Sequence, residues 1–428
     1  MSDYKEYKLR DLVTFSQGIQ VPVEEQSNTR HSNMERFVRI VDFTNPNEEP
    51  RFIKIKDSKY WVNKKNVVMI RYGSATAGKV VRGLEGYIAN NMFKVIPNKS
   101  ILNEEFLYYF LSQSSIYSYL MNSQSSSTMP AIKFSDFDNI KIKLPSLDIQ
   151  KHIALKLNRL NNKIELNTQI NQTLEQISQA LFKSWFVDFD PVRAKVQALS
   201  DGLSFEQAEL AAMQAISGKT PEELTALSQT QPDRYAELAE TAKAFPCEMV
   251  EVDGVEVPKG WTFQYLKDIS NIVYGKGLPK TKLTNTGYRV FGANGVIGYY
   301  SEFMYKNPQI LIGCRGTVGQ VTVSTPFSFI TNNSLIIEYE NSLINRYYLE
   351  HYLRTLNLKE ISSGSVQPQI TIQNMSGVKL LTPNRETLSL YEINVKDIYE
   401  TMYQNQIENE KLTKVRDLLL PKLLKGEI

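Results

Sequence analysis

The chain of 428 residues has little of what metal sites and disulfide frameworks require. It contains two cysteines, Cys247 and Cys314, in separate segments, and three scattered histidines. Two isolated thiols indicate neither a disulfide framework nor a zinc site. No stretch approaches the roughly 18 uncharged apolar residues of a membrane span, and the opening MSDYKEYKLR lacks the pattern of a targeting signal. We therefore expect a cytoplasmic protein without a metal site or a membrane partner.

Catalytic motifs are also missing. The sequence has no Asn/Asp-Pro-Pro-aromatic methyltransferase loop, no GxGxxG, no GxSxG and no paired-histidine metal motif. Residues 73–79, GSATAGK, have the spacing of a phosphate-binding loop, but Val80 stands where Mg²⁺ binding needs a hydroxyl, and the next residues do not begin a helix. A nucleotide-hydrolysing enzyme is therefore the weaker alternative, and we predict a chain that catalyses nothing by itself.

What the sequence does contain is an internal repeat. Residues 130–186 recur without a gap 238 positions later. A weaker match extends upstream, where Gly18 returns as Gly275 and residues 87–91 return as 329–333. Shifted offsets of this kind are typical of insertions in surface loops. Each copy is thus predicted to be a globular block followed by a long helix.

The two globular blocks are predicted to be mixed α and β. Alternating segments such as 140–144 (IKIKL) and apolar runs such as 67–70 (VVMI) are typical of strands, and Glu104–Leu111 is apolar at helical spacing. The second copy has the same order of elements. We therefore assign an α+β fold with two mixed α/β domains in tandem repeat, at 1–146 and 258–383.

Two long helices are predicted at 147–187 and 384–428. Residues 148–186 contain no glycine or proline, and apolar residues recur at heptad spacing over roughly 55–60 Å of helix. We expect the helices to pair as an antiparallel coiled coil whose seam asparagines restrict its register, although each helix docked on its own domain is an alternative. The predicted pairing residues are Ile164, Asn167, Asn171, Leu174, Met402, Asn405, Asn409 and Leu412.

Charge is unevenly distributed along the chain. Residues 187–257 carry 14 Asp/Glu and 5 Lys/Arg, a local charge of −9, although the whole chain has a formal charge of +3. We interpret 188–257 as an acidic helical insertion that links the halves, with helix caps at Ser204 and Thr220. In contrast, residues 51–82 hold nine Lys/Arg and one acid, interleaved with aromatic residues. Such a mixture suits nucleic acid, and an ordinary solvated face is the alternative.

Candidate nucleic-acid contacts lie on glycine-containing loops after buried strands. Glycines let the backbone approach a groove closely, and Arg, Lys and Gln are side chains that read purine edges, while an ordinary β-turn of the core is the alternative. We matched Arg71 with Arg315, Thr76 with Thr317 and Lys79 with Gln320 across the repeat. The predicted DNA-binding residues are Arg71, Tyr72, Ser74, Thr76, Lys79, Asn90, Asn91, Lys276, Arg315, Thr317, Gln320, Asn332 and Asn333.

Two strings resemble a known family. Residues 181–195, LFKSWFVDFDPVRAK, and 415–428, VRDLLLPKLLKGEI, are similar to the central and distal conserved regions of the specificity (S) subunits of type I restriction-modification systems. The resemblance implies two target recognition domains, related by a pseudo-two-fold and held apart by the helix pair. Each would read one half of an asymmetric, bipartite target in double-stranded DNA.

The resemblance also implies partners. Two methyltransferase (M) subunits would bind the chain, and two ATP-driven translocase-nuclease (R) subunits would join for restriction. S-adenosylmethionine, ATP and Mg²⁺ would serve those partners, and this chain would hold no cofactor. The alternative is a coiled-coil adaptor that binds only proteins. The apolar tail at 418–424 exceeds what one helix pairing would bury, so we expect part of it to need a partner.

Overall fold

The computed structural model describes residues 4–45, 47–123, 130–340, 342, 344–364, 367–425 and 427. The chain divides into two compact units. Unit 1 contains Met1–Gln169 and Asn405–Ile428, and unit 2 contains Ile170–Gln404. No helix among the described residues is both long and apolar enough to cross a membrane.

The first half of the chain contains ten strands and five helices in its described residues. They are β1 (Lys5–Lys8), α1 (Leu9–Leu12), β2 (Val13–Gln17), β3 (Met34–Val38), α2 (Val41–Thr44), β4 (Arg51–Lys54), β5 (Trp61–Val62), β6 (Val68–Ile70), β7 (Val80–Val81), β8 (Gly86–Ile88), β9 (Met92–Pro97), α3 (Glu104–Leu111), α4 (Ser114–Asn122), β10 (Lys141–Leu144) and α5 (Leu147–Phe186).

Four helices follow before the second block begins. The remaining elements are α6 (Asp190–Ser200), α7 (Phe205–Ser217), α8 (Pro221–Thr230), α9 (Pro232–Ala244), β11 (Met249–Val252), β12 (Val255–Pro258), β13 (Thr262–Tyr265), α10 (Leu266–Ile269), β14 (Asn271–Tyr274), β15 (Tyr288–Gly292), β16 (Gly295–Tyr300), β17 (Ile310–Gly313), β18 (Val321–Val323), β19 (Ser328–Ile330), β20 (Ser334–Glu338), α11 (Arg346–Thr355), α12 (Ile372–Ser376), β21 (Lys379–Thr382) and α13 (Arg385–Lys425).

The first block is built on two four-stranded sheets. One has the order β2-β9-β6-β7 and is antiparallel throughout. The other has the order β4-β3-β8-β5, and its β3 and β8 run parallel. A separate antiparallel pair joins β1 to β10, where Ile142 and Leu144 point into the core and the two lysines of the strand are exposed. The alternating sequence of β10 thus predicts its buried face.

The second block repeats this topology. Its larger sheet has the order β14-β20-β17-β18, and its smaller sheet has the order β16-β15-β19. In the smaller sheet β15 and β19 run parallel, as β3 and β8 do, and β13 pairs with β21 as β1 pairs with β10. The prediction of two mixed α/β domains in tandem repeat is confirmed.

The helices α5 and α13 contain 40 and 41 residues, which is about 60 Å each at 1.5 Å per residue. Inside unit 1, Arg416 donates to Asn161 Oδ1 at 3.0 Å, and Asn167 donates to Asn409 Oδ1 at 3.0 Å. Later residues of α5 thus face earlier residues of α13, as the predicted antiparallel pairing requires. Ile164, Leu174, Met402 and Leu412 are half-buried along the helices.

The seam asparagines make hydrogen bonds that follow the repeat. In unit 1, Asn409 Nδ2 donates to the carbonyl of Ile164 at 3.3 Å. In unit 2, Asn171 Nδ2 donates to the carbonyl of Met402 at 2.9 Å. A shift of 238 positions converts one bond into the other, so the same register is set twice. Asn405 is half-buried.

Each long helix contributes to two hydrophobic cores. The core of unit 1 contains Ile153 and Leu157 from the start of α5, together with the leucines at 420, 423 and 424 from the end of α13. The core of unit 2 contains Tyr391 and Val395 from the start of α13, together with the aromatic residues at 182, 185 and 186 from the end of α5. Each core is therefore closed by the start of its own helix and the end of the other.

This closure covers most of the apolar tail. Leu420, Leu423 and Leu424 are buried against the first block, while Leu418 remains 67% exposed. Burying one leucine contributes roughly 1.5–3 kcal/mol. The first block therefore buries three of the tail leucines, and the expectation that the exposed part needs a partner stays a prediction.

The acidic insertion belongs to unit 2 and contributes to its core. Phe189, Val192 and Phe245 lie in the same cluster as Trp261. The buried Lys195 Nζ donates to the carbonyl of Phe245 at 2.7 Å. The predicted caps are confirmed, since the Ser204 and Thr220 side chains each form a reciprocal pair with the third residue of α7 and α8.

A buried polar network joins α11 to both long helices inside unit 2. Arg354 donates to Glu350 Oε1 at 2.7 Å and lies 3.5 Å from Glu175 of α5. His351 Nε2 lies 2.8 Å from the hydroxyl of Tyr399 of α13. Burial, and then the Arg354 charge, lowers the pKa of His351 to about 4, while burial raises the pKa of Glu350.

We predict that truncating a buried side chain at the end of either long helix destabilises the unit in which that side chain is buried. Trp185→Ala should cost about 3–5 kcal/mol in unit 2, although Trp185 lies in the first half of the sequence. Leu423→Ala should cost about 2–5 kcal/mol in unit 1. Amide hydrogen exchange should show faster exchange in β14–β20 for the first variant and in β2–β9 for the second. The opposite pattern would contradict reciprocal closure.

We also predict a pH-dependent stability that depends on His351. Because its pKa in the folded chain is about 4, the unfolded chain takes up a proton first as pH falls below about 6.5, and stability is lost between those two values. Between pH 7 and 5 the unmodified chain should therefore lose about 2 kcal/mol more than His351→Gln. Denaturant titrations at both pH values measure the difference. The exposed His31→Gln is the control, and an equal loss in all three proteins would contradict the prediction.

Candidate nucleic-acid interface

Three loops of the first block meet where β2, β6 and β8 end. The amide of Ile19 donates to the carbonyl of Ile88 at 2.8 Å, and the amide of Arg71 donates to the carbonyl of Asn91 at 2.8 Å. The Gln17 side chain donates to the carbonyl of Asn90. We call residues 17–20, 71–79 and 89–91 the first loop cluster, and it contains all seven predicted DNA-binding residues of this block.

A matching set of loops lies in the second block. The amide of Lys276 donates to the carbonyl of Ile330 at 2.9 Å, and the amide of Cys314 donates to the carbonyl of Asn333 at 3.0 Å. We call residues 274–277, 314–320 and 331–333 the second loop cluster. It contains the other six predicted residues, so the structure groups the candidates by block as the repeat predicts.

One glycine in each block makes this meeting of loops possible. A Cβ atom on Gly18 would lie 2.2 Å from the carbonyl oxygen of Ala89, and one on Gly275 would lie 2.2 Å from that of Thr331. Neither backbone could accommodate a side chain at this distance. The sequence match of Gly18 to Gly275 therefore has a physical reason, which is close backbone approach.

The loop between the two central strands differs between the blocks. Gly78 and Gly319 donate to equivalent strand carbonyls, which confirms the match of Lys79 to Gln320. However, the eight residues from Arg71 to Gly78 correspond to six from Cys314 to Gly319. The predicted match of Arg71 to Arg315 was wrong. The sequence match paired two arginines beside glycines, whereas the backbone hydrogen bonds place Cys314 at the position of Arg71 and Arg315 at that of Tyr72.

Arg71 is folded back onto its own block. Its Nη1 donates to Gln17 Oε1 at 2.7 Å, and its guanidinium lies 5.1 Å from the centroid of the Tyr72 ring. Arg71 Nε and Asn91 Oδ1 are both buried, and neither has a hydrogen-bond partner among the residues that the structure describes. Unpartnered buried polar atoms are uncommon in folded proteins, so their occurrence together favours a site that is completed by a ligand.

The other predicted residues of the first loop cluster have different surroundings. Ser74 is exposed, whereas the Thr76 hydroxyl donates to the carbonyl of Tyr72 at 3.0 Å and closes the turn. Lys79 is exposed at the far end of its loop, and it lines a cleft that Tyr108 and Arg416 also line. Lys79 therefore lies apart from a second cleft, which Asn90 and Asn91 line.

Sequence reasoning missed the polar residues on the first of the three loops. Gln20 Oε1 accepts a hydrogen bond from Asn90 Nδ2 at 3.3 Å. Gln20, Asn90, Asn91 and Arg39 line an open cleft of about 470 Å³. The signal that could have identified Gln17 and Gln20 is their position on either side of the repeated Gly18.

The second loop cluster presents its candidates to solvent. Lys276, Arg315, Thr317, Gln320, Asn332 and Asn333 are all exposed. Cys314 is buried beneath them, and its Sγ lies 3.6 Å from the carbonyl oxygen of Asn332. Burial raises the pKa of the Cys314 thiol, so this cysteine stays protonated and serves the packing of the loop.

Part of the basic and aromatic segment at 51–82 holds the first block together. The Arg82 guanidinium lies 3.9 Å from the centroid of the Tyr108 ring and donates to Asn158 Oδ1 at 2.9 Å. Trp61 packs edge-on against Tyr87, with ring centroids 5.1 Å apart. These residues have structural roles.

The glycine-rich segment at 73–79 is not a nucleotide site. Strand β7 follows it and pairs antiparallel with β6, so the segment is a turn between two strands. A phosphate-binding loop needs a helix N-terminus at this place. Over the described part of the chain, no group of three or more His, Cys, Asp or Glu side chains is arranged to hold a metal ion.

The chain thus contains two blocks of equivalent topology, each with one loop cluster that carries polar side chains. The family model for the "Type I restriction modification DNA specificity domain" matches residues 1–176 and 258–416. These ranges contain both blocks. The chain belongs to this family of DNA specificity proteins.

Individual relatives agree with this assignment. The chain is 41% identical over 472 residues to the type I restriction enzyme HindI specificity subunit of Haemophilus influenzae, with all of both chains covered. It is 24% identical to the MjaIX specificity subunit of Methanocaldococcus jannaschii, over 80% of this chain and 75% of that one. A crystal structure of a type I S subunit from M. genitalium has the same fold, with a TM-score of 0.55, 17% identity and coverage of 99% and 96%.

Family membership establishes the class of function. This chain is a sequence-specific DNA-recognition subunit of a type I restriction system, and its role is not catalytic. The resemblance seen in the two conserved strings is confirmed. The individual DNA contacts remain predictions.

We predict that substitutions in one loop cluster impair reading of one half of the target only. Asn90→Ala should affect one half and Arg315→Ala the other, each by about 1–3 kcal/mol if the contact is to a base edge. Binding of the assembled complex to a set of single-base target variants measures this. Lys64→Ala, an exposed cation outside both clusters, is the control. An equal effect of Asn90→Ala on both halves would refute the separation.

Proposed function

We propose that this chain reads an asymmetric, bipartite sequence in double-stranded DNA, with one half read by each loop cluster. The observation that carries this proposal is the equivalence of the clusters in backbone and their difference in side chains. Gly18 and Gly275 make the same close approach, yet Tyr72 in one cluster corresponds to Arg315 in the other. Equivalent surfaces with different side chains are suited to two different half-sites.

The proposal extends to an assembly. The chain scaffolds two methyltransferase subunits, and two restriction and translocation subunits join them. The named relatives support this, because they are specificity subunits of type I restriction enzymes. S-adenosylmethionine, ATP and Mg²⁺ act in those partner subunits, and this chain supplies DNA recognition. A coiled-coil adaptor without DNA recognition accounts less well for two diverged loop clusters.

The long helices set the spacing of the two half-sites in this proposal. Asn167, which is 1% exposed, donates to Glu408 Oε2 at 2.7 Å as well as to Asn409, so its position along α13 is specified. A buried asparagine restricts the register of paired helices at some cost in stability. A fixed register implies a constant spacer, with half-sites about one helical turn of DNA apart, roughly 34–36 Å.

We predict that lengthening α5 changes the spacer and leaves the half-sites alone. Four residues inserted after Asn167 would add about 6 Å to the helix and rotate everything beyond it relative to the seam. The expected result is a longer preferred spacer with both half-site sequences unchanged, or loss of assembly. Methylated-base mapping of genomic DNA from cells with and without the chain gives the target directly.

The control is the same four-residue insertion after Gly218, in the loop between α7 and α8 and outside the helix pair. The DNA target of this control variant should have the same spacer as the target of the unmodified chain. An insertion after Asn167 that assembles normally and keeps the original spacer would show that the helices do not set the distance. Absence of any sequence preference in the unmodified complex would refute the proposed function itself.

A further inference from the structure

The two loop clusters differ in the charge that they offer to a groove. Backbone hydrogen bonds match Ile19 with Lys276 and Tyr72 with Arg315. The second cluster therefore presents two cations where the first presents an aliphatic and an aromatic side chain. This difference bears on which bases each cluster can recognise.

The two arginines near the cleft that Asn90 and Asn91 line already have hydrogen-bond or ion-pair partners within the protein. Arg71 donates to Gln17, and Arg39 is held by Asp42 at 3.2 Å, by Glu48 at 3.0 Å and by a backbone carbonyl. A guanidinium with several partners gives them up only at an energetic cost, since charge-assisted bonds are among the stronger ones. Neither arginine therefore has a free pair of N–H donors to offer to a base.

What the first cluster does offer is amide groups. Asn90 and Gln20 are hydrogen-bonded to each other at 3.3 Å at the edge of the cleft, which leaves donor and acceptor capacity on both. Asn91 adds a buried side-chain carbonyl oxygen that has no hydrogen-bond partner within the described part of the chain. An amide group combines one acceptor with donors, and adenine presents the complementary N7 acceptor and N6 donor in the major groove.

In the second cluster the cations are free. Lys276 and Arg315 are exposed, and over the described residues neither side chain makes a hydrogen bond or an ion pair. Cys314 stands at the position of Arg71, and Tyr274 stands at the position of Gln17. The second cluster therefore has no counterpart of the Arg71–Gln17 hydrogen bond. A free guanidinium presents two parallel donors, which match the O6 and N7 acceptors of guanine.

The geometry points to different base classes for the two half-sites. The first loop cluster reads adenine in its half through Asn90 and Gln20, and the second reads guanine in its half through Arg315, with Lys276 beside it. This inference rests on the proposed function and deepens it. It assigns chemistry to the two halves of the target, beyond the statement that they differ.

The test uses the full chain assembled with its methyltransferase partner and a library of DNA targets with every single-base change. Arg315→Gln should move the preference at one position of one half-site from guanine to adenine, by roughly 5- to 150-fold. Asn90→Asp should weaken an adenine preference in the other half-site by a similar factor. Lys306→Gln, an exposed cation of the second block outside the cluster, should change neither.

The outcomes separate the inference from the proposed function. If Arg315→Gln weakens binding equally to all sequences and reduces its salt dependence, Arg315 contacts phosphate and the inference is wrong while sequence recognition stands. The inference also fails if Arg71→Gln removes a guanine preference in the first half-site. If the unmodified complex prefers no sequence at all, the proposed function fails as well.

Discussion

Closure of each hydrophobic core by a helix that begins elsewhere in the chain is the constraint on which the rest of the structure depends. Unit 1 needs Leu423 and its neighbours from the end of the chain, and unit 2 needs Trp185 from the end of the first helix. Neither block can complete its core from contiguous sequence. The long helices must therefore extend fully and pair antiparallel, and exposed apolar surface would result if either ended early.

The polar seam makes this arrangement specific. Leucines alone would tolerate a shift along the pair, because hydrophobic contact is not directional. Asn167, Asn171 and Asn409 donate to defined partners, so a shifted register would leave buried amides unsatisfied. Asn167 Oδ1 is buried and has no hydrogen-bond partner among the described residues, and an unsatisfied buried acceptor costs stability.

The loop clusters are placed on the ends of rigid strands and differ where the backbone does not require a particular residue. Gly18 and Gly275 are required by close approach, and the cluster asparagines recur in both blocks. Arg71 and Cys314 occupy one backbone position but have unrelated chemistry, because the shared backbone hydrogen bond is combined with different side-chain surroundings in the two blocks. The loop side chains can therefore differ between the blocks while the sheets beneath them keep the same topology.

The sequence alone determined the features that depend on local pattern. The repeat, the strand β10, the two long helices and the caps at Ser204 and Thr220 all follow from periodicity and side-chain type, and the structure has each of them. Only the tertiary structure decided which distant segments meet. The parallel pairing of β3 with β8, the burial of the tail leucines in the first core, the packing of the insertion into the second core and the Arg71–Gln17 bond all join residues far apart in sequence. Such contacts form because they fill a core or satisfy a buried donor, and neither requirement can be read from a local stretch of chain.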